Sequence, residues 1–223
     1  MKNIDDGLIN FFKWILLIIF YVFLSVFFAE IINVIGIKNK LLLNVISIFT
    51  DLFIALILIY LYRKDFKNKF KELNSSNGNK MIKSSIKIWF IGLILMITSN
   101  LILNSFIGTI AENESANRLI LNNYFIYASI AMIIIAPICE EIIFRLSISK
   151  IINNKVLYII FSGLLFGFFH VIGTTGLQAL YVIPYTILGS TFAYIYQKHQ
   201  NILCTILMHS LHNLICIMLI VSI

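Results

Sequence analysis

Charge is what this sequence has least of. Only 12% of its 223 residues are Asp, Glu, Lys or Arg, 60% are hydrophobic, and the mean hydropathy is +0.96. Soluble domains run nearer to about 50% apolar and 25% charged. That deficit excludes a water-soluble globule and leaves no room for a sizeable soluble domain beside the apolar runs. Cysteine is also scarce. Cys139, Cys204 and Cys216 each fall within an apolar run, and no two are spaced as CxxC, which argues against a disulfide framework and a cysteine-based metal site. There is no HExxH. The first apolar run has no small-residue cleavage site and is too long for a signal-peptide core, so it is read as a mature helix. The formal charge of +7 does not point to nucleic acid, because its densest run lies between hydrophobic spans. Basic loops of that kind mark the cytoplasmic side of a membrane protein and favour anionic lipid headgroups.

What is present is a succession of apolar spans. They predict an all-α, polytopic membrane helix bundle of about seven transmembrane helices, with six to eight as the range. The spans run from Leu8 to Ile35, Leu41 to Tyr62, Ile86 to Ile110, Leu121 to Ser149, Val156 to Ile172, Leu177 to Tyr196, and Ile202 to the end. Asp51 lies mid-span in the second, and Pro184 predicts a kink in the sixth. The hydrophilic stretch from Arg63 to Lys80 reads as a loop. Gly173-Thr174-Thr175-Gly176 reads as a tight turn. Residues 1–119 hold three helices with no diagnostic feature, and residues 120–223 hold the helices that carry the chemistry. The region Arg63–Lys87, together with Lys150, Lys155 and Lys198, puts three junctions on one side, expected to be cytoplasmic with the N-terminus. Lys38 and Lys40 then fall on the outer side. The Ile-, Asn- and Lys-rich composition resembles that of AT-rich Gram-positive bacteria.

Within the fourth span stand Pro137, Glu140, Glu141 and Arg145. Charges cost roughly 2.5–3.5 kcal/mol each at a helix centre in a membrane, so they mark a functional site. Residues advance ~100° and 1.5 Å each along an α-helix. Glu141 and Arg145 share a face as an ion pair in the favourable order. Glu140 points ~100° away and is left free to act as a base. In the fifth span, Gly163 and Gly167 let another helix approach closely, and Phe166 and His170 share that face. In the last span, His209 and Asn213 stack on one face suited to stabilising an anion, with His212 at its edge. Measured from the basic ends, Glu140, His170 and His209 lie ~15, ~22 and ~16 Å deep, all near mid-bilayer.

Glu140-Glu141-x-x-x-Arg145, Phe166-x-x-x-His170 and His209-x-x-x-Asn213, in that order on separate spans, resemble the three motifs of the CPBP family. That family comprises CAAX prenyl endopeptidases and bacteriocin-processing or immunity proteins, also called Abi proteins. The resemblance covers roughly residues 120–223. It implies an intramembrane glutamate protease acting without a metal or other cofactor. Glu140 would be the general base and His170 would orient and activate the water. His209 and Asn213 would form the oxyanion site, with Glu141 and Arg145 as structural support. The implied partners are the lipid bilayer and a hydrophobic peptide or membrane-protein substrate. The basic junctions suggest access from the cytoplasmic side, with lateral access from lipid as the other route. Two other functions remain open from the residues alone. One is zinc-dependent hydrolysis with Glu140, Glu141, His170 and His209 as ligands. The other is a non-catalytic immunity protein, adaptor or transporter, for which Asp51 is the best support.

Overall fold

The structure is a computed structural model that describes residues 4–36 and 39–222. The described chain is helical throughout, with no strand: α1 (Ile4–Ile35), α2 (Lys40–Leu61), α3 (Arg63–Leu73), α4 (Gly78–Ile107) and α5 (Glu112–Asn123), followed by α6 (Phe125–Lys150), α7 (Lys155–His170), α8 (Val182–His199) and α9 (Ile202–Val221). A 3₁₀ turn, Gly176–Tyr181, leads into α8. Among the described residues, six helical stretches are long and apolar enough to cross a membrane: α1, α2, α4, α6, α8 with its leading turn, and α9. The shorter α7, at 16 residues, is about 24 Å long at the α-helical rise. The bundle is the all-α polytopic architecture that the composition predicts. Asparagine caps three of its helices. The side chains of Asn39, Asn154 and Asn201 accept from Leu42, from Val156 and Leu157, and from Leu203, satisfying amide groups that a helix start leaves open.

Two expectations need correction. Arg63–Leu73 is a helix rather than a loop. It contains no glycine or proline, and its Lys, Arg and Glu residues are good helix formers. Phe66 and Leu73, seven residues apart, pack onto the two main hydrophobic clusters, so α3 lies along the bundle as an amphipathic helix. Only Asn74 to Asn77 remains a turn. Pro184 does not kink a span. It sits in the first turn of α8, where its missing N–H removes no intrahelical bond. Smaller shifts also occur. The third apolar helix begins at Gly78, and the connection after it folds as α5 before α6 starts at Phe125.

Polar contacts gather one end of the bundle. Lys150 Nζ is 2.9 Å from Asp65 Oδ2 on α3, and Asn201 Nδ2 donates to the Lys69 carbonyl at 3.0 Å. The basic helix α3 thereby touches the α6–α7 and α8–α9 junctions. Asn10 Nδ2 donates to the Lys150 carbonyl at 3.4 Å, so the start of α1 lies at this end too. Lys38, expected at the other end, lies outside the described residues.

Glycines let α7 and α8 approach closely. A Cβ added at Gly163 would stand 2.9 Å from the Ser190 nitrogen, and one at Gly167 would stand 2.8 Å from the Val182 carbonyl. Gly189 answers from the other helix, where a Cβ would lie 2.8 Å from Phe166 Cβ. The turn between these helices needs glycine for a different reason, since Gly173 and Gly176 have φ of 84° and 61°, a region costly for other residues. We expect Gly167→Ala to lower the melting temperature of detergent-solubilised protein, at a cost of about 1–3 kcal/mol from overpacking. Gly7→Ala, with nothing within 4 Å of the added carbon, should leave it unchanged or raise it.

Candidate active site

The helix that carries the glutamates is not a regular α-helix. Two π-helical segments, Ala131–Ile135 and Ile142–Ser147, flank the α-helical stretch Ala136–Glu141. A widened turn at membrane depth must have its carbonyls satisfied by protein. Four consecutive carbonyls of the second segment find side-chain donors. Ser147 Oγ donates to Ile142 O at 2.7 Å and Trp14 Nε1 to Ile143 O at 3.2 Å. Ser162 Oγ donates to Phe144 O at 2.6 Å, and Tyr158 O–H to Arg145 O at 3.4 Å. Helices α1, α6 and α7 all contribute, so the position of Arg145 is fixed from several sides.

The charges are arranged around Glu141. Its Oε2 lies 3.1 Å from Arg145 Nε, and neither side chain has any exposed surface. The remaining Arg145 N–H groups meet aromatic faces. The guanidinium carbon is 4.6 Å from the Phe166 ring centroid, 5.7 Å from that of Phe192 and 5.9 Å from that of Phe144, a favourable setting for a cation. Glu141 Oε1 accepts from His209 Nδ1 at 2.9 Å. That bond fixes the ring, which also stacks on Phe192 at 4.7 Å. His209 Nε2 then faces Glu140, 3.8 Å from its Oε2. The same Oε2 is buried without a hydrogen-bond partner among the described residues.

His170 approaches from the end of α7. Its Nδ1 donates to the Phe166 carbonyl at 2.8 Å, and its ring is stacked with Tyr185 at 4.7 Å. Asn213 Nδ2 donates to Met132 O at 2.7 Å, a carbonyl of the first π segment, which leaves the amide's second N–H. Glu140, His170, His209, His212 and Asn213 all line one cavity of about 430 Å³, within the range of ligand sites. A second cavity of about 190 Å³ is lined by Ile18 and Tyr21 of α1, Asn113 of α5, Glu140 and His170. Residues from three separate helices thus converge on one void, with Glu141 and Arg145 packed beneath it.

Several contributors carry no sequence signal that singles them out. Tyr185, stacked on His170, is one of ten tyrosines. Asn113 of α5 donates to the Tyr185 hydroxyl at 3.3 Å and lines both cavities. Asn100 and Asn117 also face the larger one. The bond from Asn213 to Met132 could not be foreseen, because π turns leave no pattern in the residues. Asp51 stands apart from this cavity and accepts from the Tyr127 hydroxyl at 3.0 Å. Among the described residues no three of His, Cys, Asp and Glu converge as a ligand set for zinc.

Removing one member of a buried ion pair leaves an uncompensated charge, which costs about 3–5 kcal/mol. We expect Arg145→Met to lose stability of that order in thermal unfolding in detergent. Glu141→Leu/Arg145→Met should lose less than the sum of the single changes, which a double-mutant cycle would read as coupling.

Residues 122–215 match the profile of the type II CAAX prenyl endopeptidase Rce1-like family. A Mycoplasma capricolum subsp. capricolum protein described only as uncharacterized is 29% identical over 230 residues, covering 91% of this chain and 66% of that protein. The UPF0177 protein YxdF of Lactococcus lactis subsp. lactis is 36% identical over 81 residues, covering 36% of this chain and 43% of its own length. YajF, another UPF0177 protein of that organism, is 29% identical over 206 residues, covering 86% of this chain and 94% of its own length. The matched stretch therefore spans less than two thirds of the first two relatives and nearly all of the third. No solved structure shows a significant match. The segment that brings the glutamates, His170, His209 and Asn213 together is thus the one that is similar to the type II CAAX prenyl endopeptidase Rce1-like family.

Proposed function

We propose that this protein is an intramembrane endopeptidase that hydrolyses a hydrophobic or membrane-associated peptide with water activated by Glu140. The observation that carries the proposal is Glu140 itself: its Oε2 has no hydrogen-bond partner among the described residues, with His209 Nε2 3.8 Å away, and the residue borders a cavity shared with His170, His209 and Asn213. A carboxylate oxygen without a donor is open to a water proton.

The neighbours supply the remaining steps. Because Nδ1 of His170 donates to the Phe166 carbonyl, a neutral ring carries its lone pair on Nε2. A water held between Glu140 and this nitrogen points an oxygen lone pair into the cavity. Attack on a peptide carbonyl forms the C–O bond as Glu140 takes the proton, giving a tetrahedral oxyanion. The second N–H of Asn213 and the ring of His209 stabilise it. Collapse breaks the C–N bond, and Glu140 returns the proton to the departing amine. Glu141 and Arg145 hold His209 and do not touch the substrate. No step passes through a metal.

Glu140→Gln and His170→Ala should abolish processing, and Asn213→Ala should reduce turnover by roughly 10²-fold, the usual cost of one oxyanion donor. The measurement is a comparison of membrane peptides from cells carrying each variant at equal protein level. The peptide termini produced by the wild type should vanish with Glu140→Gln and should persist when chelators are added. A phenotype fully retained by Glu140→Gln would mean that the protein acts by binding. Activity lost to chelators and restored by zinc would mean that a metal supplies the nucleophile.

A further inference from the structure

We infer that the site is reached from the non-cytoplasmic face of the membrane, and that its substrate is an exported peptide or the external segment of a membrane protein. The substrate class rests on the hydrolytic function proposed above; the sidedness does not.

The two ends of the bundle differ in charge. One end holds Arg63, Lys64, Lys67, Lys69 and Lys71 of α3, followed by Lys80 and Lys83. The contacts of Asp65 with Lys150 and of Asn201 with the Lys69 carbonyl bring the α6–α7 and α8–α9 junctions to it. The other end holds α5, with Glu112, Glu114 and Arg118. Arg118 is paired with Glu114 at 2.6 Å. Lys40, at the start of α2, is the other basic residue described there. An imbalance of this size in short connections places the α3 end in the cytoplasm.

The cavity runs the opposite way from the sequence expectation. Above the glutamate its walls are Asn100 near the end of α4, Asn117 and Arg118 of α5, Tyr185 at the start of α8, and Cys216 and Ile220 near the end of α9. All belong to the α5 end. At the mouth, the Glu114 and Arg118 side chains are 36% and 37% exposed. Towards α3 the path is closed. Glu141, Arg145, Phe192 and Ile195 have no exposed surface, and Phe144 and Met208 have almost none. Water and peptide therefore reach Glu140 past α5, through a passage whose carboxamides, Asn100, Asn117 and Asn213, suit the unpaired backbone of an extended chain. A peptide confined to the cytoplasm meets the packed side.

Single cysteines read this directly in intact cells. The chain would carry Cys216→Ala to remove the thiol lining the cavity, with the buried Cys139 and Cys204 left in place. Ser76 and Ser115 are exposed, so Ser76→Cys in the α3–α4 turn and Ser115→Cys on α5 preserve shape and folding. Asn117→Cys reports the mouth. A membrane-impermeant maleimide should label Ser115→Cys and Asn117→Cys at least tenfold faster than Ser76→Cys until the cells are permeabilised. Labelling of Ser76→Cys with protection of Ser115→Cys would overturn the orientation. Protection of Asn117→Cys beside a labelled Ser115→Cys would overturn access by this mouth. None of these readouts needs catalysis, so a failure here is distinct from a failure of the peptidase proposal.

Discussion

A carboxylate with no exposed surface must find its compensation inside the protein, and Glu141 finds it in two directions. Arg145, one turn away on the same helix, supplies the positive charge. His209, from the last helix, supplies a directed N–H. A buried charge stripped of its partner is expensive, so the two contacts fix how α6 and α9 meet, and everything around the cavity follows from that meeting. His209 is held with Nε2 towards Glu140, and Asn213, one turn further along, reaches Met132 of α6. The rings of Phe144, Phe166 and Phe192 close over the guanidinium and form the packed floor that divides the cavity from the basic end.

The irregular backbone of α6 serves the same arrangement. A regular helix through residues 131–147 would carry its glutamates at a fixed 100° step. The two π segments widen the helix on either side of Glu140 and Glu141 and expose carbonyls that neighbouring side chains then occupy. Trp14, Ser162 and Tyr158 are therefore part of the site without facing the cavity. Open carbonyls of this kind inside a membrane persist only where donors from other helices meet them, which ties α1 and α7 to the geometry of the glutamates.

Much of this was readable from the residues. The apolar spans gave the bundle because bilayer thickness dictates their length. The pairing of Glu141 with Arg145 followed from helical spacing, and the close approach at Gly163 and Gly167 from the missing side chains. Other features depend on tertiary context. Arg63–Leu73 is polar enough to look like a loop, and it is helical because Phe66 and Leu73 have somewhere to pack. Pro184 interrupts nothing because α8 starts just before it. Tyr185 and Asn113 act through neighbours distant in sequence. The direction of the cavity could not be read from charge at all, because the basic junctions mark one end of the bundle while the packing opens the other.

The account rests on a water molecule, activated by Glu140, attacking a peptide carbonyl. The most direct measurement is a single-turnover cleavage of a hydrophobic peptide by the purified protein in lipid nanodiscs, run in ¹⁸O-labelled water and read by mass spectrometry. One labelled oxygen should appear in the newly formed carboxylate, with no acyl group on the protein at any time, and Glu140→Gln should give no product. A covalent peptide–protein adduct, or labelled product formed equally well by Glu140→Gln, would contradict it.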